Sequence, residues 1–101
     1  MKYQLRYSDM ALQDIEDLRF VIRDTYKAPL TAARYVQGLY DEINRLSTLA
    51  ESLPIQTSPF FLRYGNHVRR INYKKVAIIY TVHNNIVYIH RIMASNLIES
   101  L

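Results

Sequence analysis

The chain has no cysteine, only two glycines among its 101 residues, and no apolar run of the ~18 residues that would make a transmembrane helix candidate. Without Cys there is neither disulfide nor thiol chemistry, so nothing points to an oxidising compartment. The opening Met1-Lys2-Tyr3-Gln4-Leu5-Arg6 reads as the start of a strand rather than a signal peptide, and the expectation is a soluble cytoplasmic protein with no membrane partner. Two glycines cannot supply a Gly-rich phosphate loop, and no serine sits in a nucleophile motif. His67, His83 and His90 lack the spacing of metal ligands, so neither a metal nor a cofactor is expected. Repeats and low-complexity tracts are also missing.

What is present is ordinary globular composition, half hydrophobic and 22% charged, in a chain long enough for one core and too short for two. A single domain over residues 1–101 is expected. The net charge of +4 is unevenly distributed. Residues 1–59 carry seven Lys and Arg against eight Asp and Glu, whereas residues 60–101 carry six cations against Glu99 alone. A basic half beside a neutral half either suits an acidic or phosphate-bearing partner or merely keeps the surface solvated.

The clearest element is Val76 to Val82, seven uncharged residues rich in β-branched and aromatic side chains, which reads as a strand buried on both faces. Ile86 to Ile92 follows after His83-Asn84-Asn85, and Asn tolerates the positive φ of a tight hairpin turn. Val68 to Asn72 offers a further strand, turning near Tyr73 and Lys74. At the other end of the chain, Tyr3, Leu5 and Tyr7 alternate with Gln4 and Arg6, the period of a strand with one wet face. Ser8 is placed to cap a helix over 8–26 whose stripe is Ala11, Ile15, Leu18, Ile22 and Tyr26, widened by Leu12. Pro29 suits the first position of a second helix carrying Ala32, Val36, Leu39, Ile43, Leu46 and Leu49, to about Ala50. The short link makes the two an antiparallel hairpin. Residues 51–65 form a connecting loop in which Phe60-Phe61-Leu62 plugs back onto the core. The fold class is α+β, with an N-terminal strand and a helical hairpin packed on one face of a mostly antiparallel sheet whose other face is open.

The chemistry on offer is cationic. Arg69, Arg70, Lys74, Lys75 and Arg91 lie on or beside the C-terminal strands, with Arg63, Tyr64 and His67 just ahead of them. The acidic residues fall almost entirely on the helices, as solvated faces. Alternation puts Arg69 and Arg70 on opposite faces, and groups Val87, Ile89, Arg91 and Met93 against Tyr88 and His90. Arg91 either pairs with a helix carboxylate or lines the open face, because an unpaired buried guanidinium is costly. His90 reads as a packed or rim histidine.

The ordered set Tyr3-Gln4-Leu5-Arg6-Tyr7-Ser8, Ala28-Pro29-Leu30-Thr31-Ala32-Ala33-Arg34, Val68 to Lys75, Ile78 to Val82 and Val87 to Ile92 resembles the toxins of the RelE/ParE superfamily. These are the toxic halves of bacterial type II toxin–antitoxin pairs, and the resemblance covers nearly the whole chain. It implies a microbial RNase-like α+β fold whose basic sheet face either cleaves messenger RNA on the ribosome or, in the ParE branch, inhibits DNA gyrase. It also implies a cognate antitoxin whose disordered tail folds on binding, as a toxin–antitoxin hetero-oligomer or beside a toxin homodimer. Arg69, Arg70, Lys74, Lys75 and Arg91 are the residues expected to touch the target or RNA.

Against the nuclease branch, Ala77 is the nearest match to an arginine that ribosome-dependent members place just before the aromatic corresponding to Tyr80. Ala94-Ser95-Asn96-Leu97-Ile98 stands where those members add basic, His or Tyr residues. RNA cleavage needs a base for the 2′-hydroxyl, an acid for the leaving oxygen and a clamp for the phosphate. The long helical hairpin also resembles the ParE branch. The leading expectation is a ParE-like toxin acting by binding; the alternatives are a RelE-like endoribonuclease and a non-toxic binding module.

Overall fold

The computed structural model describes residues 2–99; Met1, Ser100 and Leu101 lie outside it. The order is β1 (Gln4–Tyr7), α1 (Asp9–Phe20), α2 (Pro29–Asn44), α3 (Leu46–Leu49), β2 (Arg69–Tyr73), β3 (Val76–His83), β4 (Ile86–Ala94) and α4 (Ser95–Glu99). Ser8 caps α1, its Oγ accepting from the Ala11 amide at 3.0 Å, which satisfies one of the helix's otherwise orphaned donors.

The helix expected over 8–26 is α-helical only to Phe20 and widens into a π-helical turn over Val21–Thr25, where the Tyr26 amide donates to Val21 O. The wider turn shifts the phase of the stripe. Ala11 and Ile15 are buried and Leu18 and Ile22 half-buried, but Tyr26, expected on the stripe, is 72% exposed. Leu12 also points outward rather than widening the stripe. The second helix holds its phase, burying Ala32, Val36, Leu39 and Ile43, then breaks at Arg45 before α3, where Leu46 is buried.

The sheet runs β1-β4-β3-β2, with β1 parallel to β4 and the remaining pairs antiparallel. Asn84 and Asn85 take φ of 50° and 66° in the β3–β4 turn, the left-handed geometry of a two-residue hairpin. The hairpin α1–α2, continued by α3, covers one face through Ile15, Leu39, Ile43 and Leu46 against Ile71, Ile78, Tyr80, Val87, Ile89 and Ile92. Tyr80 is fully buried there, and its hydroxyl donates to Ala50 O at 2.7 Å, tying the sheet to the end of the helical layer.

The face expected to be open is half covered. Phe60 and Phe61, on a 3-10 segment over Pro59–Tyr64, pack with Ile98 onto Val68, Ala77 and Ile79, while Leu62 points to solvent. These apolar strand residues alternate away from the helices, so something apolar had to cover them.

The phase of β4 also differs from strict alternation. Ile79 pairs with Arg91 but Tyr80 with Ile89, leaving His90 as the extra residue of a bulge. Val87 and Ile89 therefore share the helix-side face with Ile92, and Arg91 and Met93 fall on the second face with Tyr88.

Candidate functional site

The five cations singled out from sequence do not converge. Arg69 sits on the helix side at the sheet's end, where its Nη1 donates to the carbonyls of Glu51 at 2.8 Å and Leu53 at 2.7 Å. That caps the chain as it leaves the helical layer. Arg70 lies on the second face, half-buried, with its Nε donating to Asn72 Oδ1 at 3.2 Å. Lys74 and Lys75 form the exposed β2–β3 turn, and Lys74, at φ 52°, holds its Nζ 5.7 Å and 5.6 Å from the rings of Tyr35 and Tyr73. They border a shallow depression of about 550 Å³ with Ser95 and Asn96.

Arg91 is in an ion pair. Its Nε and Nη2 donate to the two oxygens of Asp14 at 2.8 and 3.1 Å. Of its two readings from sequence, the pair with a helix carboxylate is the one found. The guanidinium is held above its ordinary value, chiefly by those hydrogen bonds to Asp14.

A further concavity was not visible in the sequence as a unit. Ser8, Asp9, Met10, Arg63, Tyr64, His90 and Arg91 line a cleft of about 400 Å³ between the start of α1 and the 3-10 segment. Arg63 is fixed by donating from Nε to Phe60 O at 3.1 Å while lying 4.3 Å over the Phe60 ring. Tyr64 packs beside His90, ring centres 5.6 Å apart, and its hydroxyl donates to Met93 Sδ at 3.8 Å. His90 Nε2 and Thr81 Oγ1 share a 2.8 Å hydrogen bond. Burial pushes the His90 imidazole below its ordinary value, which favours the neutral ring. Arg63 and Tyr64 end the 3-10 segment, outside any strand, and His90 reaches the cleft through the bulge, so no periodicity announces the group.

A second concavity of about 390 Å³ runs between α1 and α2, lined by Arg19, Arg23, Val36 and Tyr40 among others. Among the described residues no group of three or more His, Cys, Asp or Glu could hold a metal ion, and no helix is long and apolar enough to cross a membrane. Ala77, the position compared with a phosphate-binding arginine, is fully buried beneath Phe60 and Phe61. His83 is exposed at the far end of β3, away from the cleft.

The architecture is shared with a solved structure described as the chromosomal ParDE TA system from P. aeruginosa, with a TM-score of 0.72 at 18% sequence identity over 92% of this chain and 96% of that one. No curated protein sequence matches. The family described as the ParE toxin of the type II toxin–antitoxin system, parDE, matches over residues 5–96, and this chain belongs to that family.

Proposed function

We infer that this chain arrests bacterial growth by binding a macromolecular target, with DNA gyrase the first target to test, and that a cognate antitoxin neutralises it. The antitoxin is suggested by the ParDE pairing named for the similar structure. The reading of binding rather than cleavage rests above all on Ala77. The second face around it is filled by Phe60, Phe61, Val68, Ile79 and Ile98, so a phosphate clamp at that position has no solvent-accessible space.

The contact surface we assign to the target is Arg70, Lys74 and Lys75, whose guanidinium or ammonium groups have no carboxylate partner among the described residues. Arg69 and Arg91 stay in the set as supports, because their hydrogen bonds are spent on the fold.

Induced alone, the chain is expected to stop growth, and co-expression of an adjacent small gene to restore it. In a supercoiling assay the purified chain is expected to inhibit gyrase, less so as a Lys74→Ala, Lys75→Ala double variant. Normal growth at high soluble yield without the neighbour removes the reading.

A further inference from the structure

From Ser52 to Ile98 the chain contains no Asp or Glu. The strands built from this stretch place a line of rings along the uncovered part of the second face. Tyr88, exposed, pairs with Arg6 on one side and Thr81 on the other, so the three share a face. His90, two residues on and about 6–7 Å along the strand, is tied to that same Thr81. Tyr64 continues the line, its ring tilted 31° to the His90 ring. Guanidiniums flank this track at both ends, with Arg6 beside Tyr88 and Arg63 and Arg91 beside Tyr64 in the cleft. Two carboxylates approach it from α1: Asp14, which occupies the fork of Arg91, and Asp9 at the cleft's rim. Among the described residues Arg6 and Arg63 have no carboxylate partner.

We propose that the track Tyr88–His90–Tyr64, with Arg6 and Arg63 beside it, binds a single-stranded nucleic-acid segment, stacking bases on the rings and holding phosphates with the free guanidiniums. Rings interleaved with cations on a sheet are what such a strand needs, because every base has a π-face and every linkage one negative charge. A neutral His90 fits the stacking role, since it presents a ring without the hydration of an imidazolium. The strand lies across the surface without being cut, because the step would need acid and base groups on either side of one phosphate. DNA and RNA share this chemistry. The inference goes beyond the toxin reading and rests on it only in using the same face of the sheet.

The test is fluorescence anisotropy of a labelled ten-nucleotide oligothymidylate and of the matching oligouridylate, titrated with the full chain at low salt. Inorganic polyphosphate of matched charge serves as competitor. Saturable binding is expected, with log affinity falling against log salt at a slope of about −1.4 for the two phosphate contacts at Arg6 and Arg63. Tyr88→Ala should weaken it roughly five- to a hundredfold with an unchanged melting curve, while Tyr88→Phe should retain it. A preference between the two oligonucleotides then identifies the strand type. Complete displacement by polyphosphate together with unchanged affinity in Tyr88→Ala would overturn the proposal, as would absence of binding. Loss of gyrase inhibition in Tyr88→Ala at unchanged oligonucleotide affinity would overturn it too, by assigning the track to a protein surface. Growth arrest by the chain is read separately and survives any of these outcomes.

Discussion

Asp14 holds both Arg91 and the backbone beside it: Oδ2 accepts from Arg91 Nε and from the Ile92 amide, each at 2.8 Å, while Oδ1 accepts from Arg91 Nη2 at 3.1 Å. β1 pairs with β4 only as far as Ile89, so the next donor on that edge would be left open. α1 runs past at this point, and one carboxylate serves as the missing strand. Asp14→Ala should therefore cost about 2–4 kcal/mol, because it abandons a mostly buried amide and a guanidinium together. Asp14→Asn should cost less, since an amide oxygen can still accept. Urea titration of the three proteins checks the order; equal midpoints would mean that the pair is ornamental.

Ile43 and Leu46 are both fully buried between the helical layer and the sheet. Replacing either by Asp places a carboxylate where no partner is available, at a cost of several kcal/mol, comparable to the whole stability of a small domain. Neither variant is expected to fold, as read by circular dichroism. A native melting temperature in either would contradict the packing described.

Gly38 sits where α2 crosses Tyr73, and a Cβ added there would lie 2.2 Å from the Tyr73 hydroxyl and 3.0 Å from its Cζ. The ring is braced edge-on against Tyr35, with Lys74 over it, so moving it breaks contacts. Gly38→Ala gains up to ~1 kcal/mol of helix propensity, but overpacking of this kind costs ~1–3 kcal/mol. A net loss of stability is expected. The loss should shrink in a Tyr73→Phe background, which removes the nearest atom, and a double-mutant cycle reads the coupling.

Much of this arrangement was legible from residues alone, for identifiable reasons. The strand over Val76 to Val82 and the stripe from Ala32 to Leu46 are set by periodicity and apolar area, and the structure keeps both. The bulge at His90 was not legible, because a one-residue insertion leaves no mark on composition yet reverses which face every later residue occupies. Alternation alone separates Arg69 from Arg70 and leaves Arg91 two readings, but the partners that hold Arg69 and Arg91 come from segments far away in sequence. The three guanidiniums thus go to three different partners. From sequence Phe60 and Phe61 read as a plug on the core with no face assigned, since loop residues carry no register.

His90 supplies a pH dependence. Burial lowers its folded value below the ordinary 6.5, so the unfolded chain binds the proton more readily. Stability contributed by the neutral ring is thus complete above about pH 6.5 and is lost as pH falls through the window below it, down to the folded value. The urea midpoint should drop between pH 7.5 and pH 5, and His90→Gln should flatten that part of the profile. Carboxylates as a class titrate lower, so the variant is needed to isolate the histidine. An identical slope in wild type and variant would assign the effect elsewhere.

A positioned acid or base contributes ~10²–10⁴-fold, and a preorganised electrostatic donor a similar factor. Ala77 is buried under Phe60 and Phe61, and Asn96 stands exposed at the start of α4 where a proton donor would be wanted. His90 is the one imidazole near a guanidinium cluster, but its Nε2 is engaged with Thr81. Purified chain should therefore leave messenger RNA intact on translating ribosomes while supercoiling is inhibited. Ala77→Arg should fail to fold instead of gaining activity, because an arginine there must displace the two rings and bury a charge. Codon-specific cuts that disappear in the Lys74→Ala, Lys75→Ala double variant, or a folded Ala77→Arg protein that cuts, would make the chain a nuclease.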